Sequence, residues 1–422
     1  MTSFLLRLIR KIVRTGNLRV TASDGTAHSF GDGGGPLVHV KFNSARAERA
    51  ILLNPTLAMP EAFMNGELDF LAGDSLAFLK LIYDNTGPFG QFDAAIARAV
   101  EGVRFALRRV HQFNSAARSK RNVQRHYDLS GDLYKLFLDK DMQYSCAYFE
   151  RPDMDLEEAQ LAKKRHVAAK LLAEPGQRVL DIGCGWGGMA LYLARHCGAD
   201  VTGITLLEEQ IAIARARSEE SGCSGRVRFR IEDYRDTDET FDRVVSVGMF
   251  EHVGPAHFET YFAKVACFLN EDGVALIHTI GRADGPGATN PWISKYIFPG
   301  GYIPSLSEMS AAVEKAGLFV TDVEVLRMHY AETLKAWRER FMARRDEALG
   351  LYDERFCRMW EFYLSICELA FRLEGECVFQ LQLARRHDVV PITRAYIAER
   401  EARLRVRDVH DLQPRPAAAA GE

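Results

Sequence analysis

Chemistry in this chain concentrates in a few short stretches. The most informative is "VLDIGCGWGG" (179–188), with glycines at 183, 185, 187 and 188 and an acid, Asp181, two residues ahead of them. Glycines let a ligand approach the backbone, and a helix opening after them offers unpaired N–H groups to an anion. Gly183, Gly185 and Gly188 satisfy the dinucleotide spacing GxGxxG. Asp181 argues against that reading, because a carboxylate facing the ligand repels a pyrophosphate and attracts an ammonium group. A dinucleotide site also needs an acid about 20 residues further on, for the ribose hydroxyl. The next apolar run ends at Ile204-Thr205-Leu206 without one. The ligand implied has a carboxylate and an amine side by side, as in the methionine part of S-adenosylmethionine. Four glycines around an acid would be an expensive way to make a plain turn.

The other stretches leave alternatives open. In "DMQYSCAYFE" (141–150), Cys146 stands among aromatic and small residues. It could be a nucleophile or a ligand, although a cysteine in such company is usually a small buried hydrophobe. Glu251 and His252 in "MFEHVG" suit acid–base work or the cap of a helix. His278 in "IHTIG" suits catalysis or a satisfied core position.

The elements that must position these residues follow from pattern. "RVLDI", "DVTGI", "RVRFRI", "DRVVSV" and "GVALIHTI" are strand-like, separated by helical stretches such as "GMALYLARHCG" and "EEQIAIARARSEE". That alternation predicts a parallel doubly wound α/β sheet. Ser305 and Glu308 have capping-box spacing, so a helix starts there. "LFVTDVEVL" and "CVFQLQLA" read as later strands around a long helical stretch, 331–374. Its stripe Phe356, Trp360, Tyr363 and Phe371, like "LAFLKLIY" (76–83), is expected in the core and not on a ligand-binding wall. "GRADGPGATNPW" (281–292) is expected to be a loop over the site, with a plain surface loop as its counterpart.

A chain of 422 residues exceeds one ordinary core, so two domains or one large domain with insertions are expected. The expected division is a small α+β domain over 1–90, a basic helical connector over 91–121, a catalytic domain over 122–410 and a disordered tail over 411–422. The net charge of −3 carries no global sign of nucleic-acid binding. Locally, Arg98, Arg104, Arg108, Arg109, Arg118, Lys120, Arg121 and Arg125 face one acid, Glu101. Such a patch suits phospholipid headgroups or RNA, or is simply a solvated helix face. Eight scattered cysteines without a CxxC pair argue against a zinc site and for a reducing compartment. The opening "MTSFLLRLIRKIVRTGN" has basic residues interrupting the apolar ones, unlike a signal peptide. On a helix, Leu5, Leu8, Ile9 and Ile12 share one face, which would rest on a membrane surface or on its own domain. No run reaches the ~20 apolar residues needed to span a bilayer.

In order along the chain, "HYDLSGDLYKLFLD", "YSCAYF", "VLDIGCGWGG", "FDRVVSVGMFEHVG", "IHTIG", "KYIFPGGYIPS" and "RMWEFYL" resemble the cyclopropane-fatty-acyl-phospholipid synthase family, over about residues 115–395. The glycine loop is common to many methyltransferases; the combination of the other motifs is specific. The resemblance implies a class I methyltransferase (Rossmann-like) fold, with a mixed seven-stranded sheet carrying helical insertions and a small N-terminal α+β domain. It implies S-adenosylmethionine as cofactor, with contacts on Tyr144, Ser145, Asp181, Gly183, Gly185, Gly187, Thr205, Leu206 and Gln210, and near the adenine on Tyr234 and Arg235. Leu207 departs from the family, which commonly has serine there.

The implied reaction starts with an acyl double bond attacking the sulfonium methyl. A proton is then removed from the transferred methyl, and the ring closes. The implied base is a bound bicarbonate, held by Cys146, Glu251, His278, Ile280 and Tyr330, with the cysteine shaping an anion site instead of acting as nucleophile. Aromatic faces from Tyr148, Phe149, Phe250, Trp292, Tyr296, Phe298 and Tyr302 are candidates to stabilise the cation. The expected partner is an unsaturated phospholipid in the membrane, with the protein cytoplasmic and peripheral at the inner face; a homodimer stays open, and no nucleic acid is expected. The alternatives are an acyl C-methyltransferase giving branched or hydroxy products, a small-molecule methyltransferase, or a non-catalytic lipid-binding protein.

Overall fold

The computed structural model describes residues 3–86 and 130–412. The basic stretch from Arg98 to Arg125, the expected connector 91–121 and residues 413–422 of the expected tail lie outside the described residues; Leu412 ends a helix.

The N-terminal elements are α1 (Ser3–Ile12), β1 (Asn17–Thr21), β2 (Ala27–Phe30), β3 (Leu37–Phe42), α2 (Ala45–Leu53), α3 (Pro55–Met64), β4 (Leu68–Ala72) and α4 (Ser75–Thr86). Their sheet has the order β2-β1-β3-β4. The Asp24-Gly25 turn closes the β1–β2 hairpin, with Gly25 at φ +86° and the Asp24 carboxylate accepting from the Thr26 N–H. In α1, Leu5 is buried and Leu6, Ile9 and Ile12 pack against the core, so this helix seats on its own domain; Phe4 is exposed.

The larger part begins with α5 (Gly131–Phe137) and α6 (Leu156–Leu171). It continues through β5 (Arg178–Ile182), α7 (Gly188–Tyr192, extended by a π turn to Cys197), β6 (Asp200–Thr205), α8 (Glu208–Glu220), β7 (Val227–Ile231), β8 (Phe241–Val247), α9 (Phe258–Phe268) and β9 (Leu269–Arg282). It closes with α10 (Pro291–Tyr296), α11 (Leu306–Lys315), β10 (Phe319–Leu326), α12 (His329–Ala343), α13 (Arg345–Leu351), α14 (Glu354–Leu373), β11 (Glu376–Ala384) and α15 (Ala395–Leu412). The sheet order is β10-β11-β9-β8-β5-β6-β7. β5 to β9 pair parallel, whereas β11 runs antiparallel between β9 and β10. The sheet is therefore mixed, as the family resemblance implied and the strand–helix alternation alone did not. The predicted capping box opens α11: Ser305 accepts from the Glu308 N–H while Glu308 accepts from the Ser305 N–H.

One hydrophobic core joins the N-terminal elements to α12 and α14: Leu18, Val40, Phe63 and Leu79 belong to the same cluster as Trp292, Trp337 and Trp360. Across this junction Ser75 hydrogen-bonds both Glu361 and Ser365, and Arg358 pairs with Asp69. Among the described residues, no helix is long and apolar enough to cross a membrane.

Candidate active site

The glycine loop leaves the carboxyl end of β5 and enters α7, the place where open α/β sheets bind ligands. Gly183 has φ +80°, and a Cβ there would come within 2.7 Å of Met249, so the loop can run this close to the β8–α9 segment only with glycine. Gly187 has φ +83°, and a Cβ there would meet the Phe229 ring at 2.6 Å.

A cavity opens above these strand ends. Tyr144, Ser145, Asp181, Gly183, Gly185, Thr205, Leu206, Gln210, Tyr234 and Arg235 all line it. Gly187 lies off its wall and serves the turn. The sequence reading missed Gln143, Trp186 and Met249, and did not assign His252 to the cofactor; all four also line it. Asp181 is buried, and its Oδ2 has no hydrogen-bond partner. Burial pushes this carboxyl up to about 7, partly offset by the Lys163 charge. An ammonium group is the partner such an oxygen lacks, so the site fits the amino-acid end of S-adenosylmethionine. At the far end, Arg235 is held by two hydrogen bonds to Asp233. Leu207, where the family's serine is absent, is the N-cap of α8 and makes no side-chain cap bond.

A second cavity lies alongside. Cys146, Glu251, His278, Ile280 and Tyr330, the five expected anion holders, all line it. The two cavities enclose about 1160 and 1320 Å³, open solvent at their mouths included. They share Tyr144, Ser145, Gly248 and His252, so a thin wall built from the "DMQYSC" segment and the end of β8 divides them.

Glu251 sits in a short 3-10 turn (250–252) and does not cap a helix. Its Oε1 accepts the Ile280 N–H at 2.7 Å, while Oε2 is buried without a partner. Burial raises this carboxyl to about 7. The Ile280 N–H is thereby engaged, and its carbonyl accepts from the Thr279 hydroxyl, so what Ile280 offers the cavity is mainly its side chain. His278 is buried on β9, with Nδ1 3.1 Å from the Gln380 amide nitrogen. Burial, then the Lys163 charge, disfavours its protonation, so the ring is neutral. If Gln380 donates to Nδ1, the ring proton sits on Nε2. Burial also pushes the Cys146 thiol well up, and Sγ donates to the Ala147 carbonyl at 3.2 Å. A thiol so disposed is a poor nucleophile. His252, on the shared wall, is lowered to about 4 by burial.

The rest of the second cavity is largely apolar: Ile293, Phe298, Ile303, Leu334, Ile366, Ala370 and Phe371. Here two expectations hold only in part. Tyr363 and Phe371 of the α14 stripe belong to the core but also line the cavity, whereas Trp360 is core alone and Phe356 packs against it. Tyr83 of "LAFLKLIY" also reaches the cavity, donating to Glu374 at 2.7 Å. The helices supply walls as well as core because the cavity lies between α14 and the sheet. Of the seven aromatic candidates for cation stabilisation, Phe298 and Tyr302 line the cavity. Tyr148 instead stacks between His166 and His329; Phe149 packs beside His329; Phe250 is core; and Trp292 and Tyr296 pack toward α3. The loop 281–292 does cover this cavity, through Arg282, Gly287, Ala288, Thr289 and Asn290.

A family model described as mycolic acid cyclopropane synthetase matches residues 114–381, and one described as a domain of unknown function matches residues 4–92. The chain is 39% identical over 340 residues to the cyclopropane-fatty-acyl-phospholipid synthase of Escherichia coli strain K12, covering 80% of this chain and 85% of that one. It is 36% identical over 395 residues to the tuberculostearic acid methyltransferase UfaA1 of Mycobacterium tuberculosis, covering 90% of each. Among solved structures, the mycolic acid cyclopropane synthase CmaA1 complexed with SAH and CTAB superposes with a TM-score of 0.59 at 35% identity, covering 63% of this chain and 97% of that one. With a cavity at the strand ends, a largely apolar one beside it and these relatives, the chain belongs to the cyclopropane-fatty-acyl-phospholipid synthase family of S-adenosylmethionine-dependent methyltransferases.

Proposed function

We propose that the protein transfers a methylene group from S-adenosylmethionine to the cis double bond of an unsaturated acyl chain carried by a membrane phospholipid, with a bound bicarbonate as the base. The observation that carries this reading is the pair of cavities divided by Tyr144, Ser145, Gly248 and His252, one polar with an orphan carboxylate oxygen, the other apolar with an acid–base cluster at the shared wall. The cofactor supplies an electrophilic methyl group on a sulfonium centre. An alkene is a weak nucleophile, so the chain must align the two reactants and keep water out. Ile280, Phe298, Leu334, Ile366 and Phe371 form a suitable dry wall for the acyl chain. Tyr144 and Ser145 would hold the methyl side in place, and Asp181 the ammonium end.

Ring closure releases one proton from the transferred methyl, and a bicarbonate in the second cavity would supply the base that takes it. Cys146, Glu251, His278, Ile280 and Tyr330 would hold that ion. Its fit rests on the residues that line one cavity: a thiol, a neutral imidazole, a tyrosine and a glutamate with an orphan Oε2. A phospholipid substrate also accounts for the basic stretch 98–125, which would meet anionic headgroups at the cytoplasmic face of the membrane.

The test is mass spectrometry of acyl chains from cis-monounsaturated phosphatidylglycerol vesicles incubated with the purified protein and S-adenosylmethionine, with and without bicarbonate. A product one CH2 heavier, resistant to mild hydrogenation and dependent on bicarbonate, supports the reading. A second reading is favoured by the likeness to a tuberculostearic acid methyltransferase across nearly the whole chain. It predicts a methyl or methylene branch in place of a ring, giving a product that takes up hydrogen or that forms only with an added reductant.

A further inference from the structure

Lys163 is fully buried on α6 and belongs to neither cavity wall. Its Nζ donates to the Gln143 side-chain oxygen at 2.6 Å and to the Ser145 hydroxyl at 2.8 Å. Both acceptors are neutral, which is unusual for a buried ammonium. The other cations of α6 each have a carboxylate partner: Lys164 meets Asp141 at 2.6 Å, Arg165 meets Asp408 at 2.5 Å and Lys170 meets Glu324 at 2.9 Å. His166 lies 2.7 Å from both Glu324 and Glu401. Among the described residues, Lys163 has no carboxylate within ion-pair distance. The nearby Asp139 turns its oxygens to the N–H groups of Asp141 and Gln143.

Ser145 lines both cavities, so Lys163 stands directly behind the dividing wall. Its charge acts on both sides of that wall: on Asp181 in the cofactor cavity, and on Cys146 and His278 in the other. Burial lowers its own ammonium only to about 8, so it is mostly charged at neutral pH. On the acyl side stand a neutral thiol, a neutral imidazole and a carboxyl raised by burial, none of which carries a positive charge to balance an anion.

We infer that Lys163 is a positioning residue whose buried charge, delivered through Ser145, balances the anion held in the acyl-side cavity. This rests on the bicarbonate reading given above and assigns the ion its counter-charge. The sign of the effect separates the role from simple scaffolding. A charge between two sites attracts an anion on one side and, on the other, favours the ionised form of Asp181 that an ammonium ligand binds. Removing it raises the bicarbonate requirement and moves the pH dependence of S-adenosylmethionine binding upward, whereas loss of structural support weakens both affinities at every pH.

The experiment compares the full-length protein with Lys163→Met and Lys163→Gln. S-adenosylmethionine binding is measured by calorimetry across a range of pH. The sodium bicarbonate concentration for half-maximal turnover is measured in carbonate-depleted buffer on cis-monounsaturated phosphatidylglycerol vesicles. The expected result is a bicarbonate requirement raised about tenfold or more in both variants, with the pH dependence of S-adenosylmethionine binding moved upward and its high-pH affinity retained. That retained binding also shows that the variants are folded. An unchanged bicarbonate requirement, or a loss of S-adenosylmethionine affinity at every pH, overturns the inference. A wild-type protein indifferent to bicarbonate overturns the base assignment itself, and the role of Lys163 with it. Dependence in the wild type without a shift in the variants removes Lys163 alone.

Discussion

Glu251 and Ile280 are joined by one hydrogen bond, from the Ile280 N–H to Oε1 at 2.7 Å, and this bond leaves the second carboxylate oxygen buried and unpartnered at the cavity wall. The backbone of β9 thus fixes the carboxylate plane and keeps one oxygen for the site. Glu251→Gln retains an acceptor for the Ile280 N–H and nearly the same volume, but it cannot exchange a proton. Turnover should fall by about 10²–10⁴-fold, the range for loss of general acid–base function. S-adenosylmethionine affinity should stay within a few-fold when measured by calorimetry. A parallel loss of cofactor affinity would move Glu251 into the cofactor site.

Asp181 makes cofactor binding depend on pH, and the sign follows from its burial. Its carboxyl is raised to about 7 in the free protein, so below that pH it is largely protonated. An ammonium ligand binds the ionised form, and binding then requires release of a proton. Between pH 5.5 and 7, S-adenosylmethionine affinity should therefore rise with pH, by up to about tenfold per unit. Asp181→Asn should bind weakly and lose this slope. For folding the direction reverses: the native protein holds a proton that the unfolded chain has lost between the ordinary aspartate value and about 7. Across that window, Asp181 makes the free protein less stable as pH rises.

The sheet and the cofactor cavity were legible in the sequence because their signals are local. β5 to β9 are short apolar runs bounded by turns, and Asp181 with the glycines lies within a single stretch. The place of β11 was not readable from alternation, since it pairs between two strands distant in sequence. The acyl cavity was half legible. Cys146, Glu251, His278 and Tyr330 came from motif order, but Tyr83, Tyr363 and Phe371 read as core because a helical stripe looks the same against a protein wall or a cavity. Lys163 gave no usable signal. In "AKKRH" it looks like part of a solvated face, and only distant partners such as Asp141, Glu324, Glu401 and Asp408 make burial of this charged run tolerable.

The α14 wall offers a way to block one substrate without touching the other. Ala370 lines the acyl cavity and is absent from the cofactor cavity. Ala370→Trp would project a large ring toward Ile366 and Phe371 and occupy the space expected for methylenes. Turnover on monounsaturated vesicles should drop by roughly two orders of magnitude. Overpacking should lower stability by about 1–3 kcal/mol, read by denaturant titration. S-adenosylmethionine affinity should hold. Unchanged turnover would mean that the acyl chain takes another path.

The cover over the acyl cavity is tied to the N-terminal elements at two points of very different strength. Trp292, at the start of α10, is completely buried, packs edge-on against Phe362 and donates its indole N–H to the Met64 sulfur at 3.1 Å. Glu61 of α3 accepts from Lys295 and from the Tyr296 hydroxyl, each at 2.7 Å, but the lysine side chain is 54% exposed. Exposed ion pairs contribute about 0–1 kcal/mol, whereas removing a buried tryptophan costs about 3–5 kcal/mol. Trp292→Ala should therefore destabilise the protein several times more than Glu61→Ala in denaturant titrations. Thr289, Asn290 and Ile293 flank Trp292 and line the acyl cavity. Loosening this anchor should accordingly lower kcat/KM for vesicles while leaving S-adenosylmethionine affinity intact. Equal, small effects of the two substitutions on stability and on vesicle turnover would show that the N-terminal elements do not hold the cover in place.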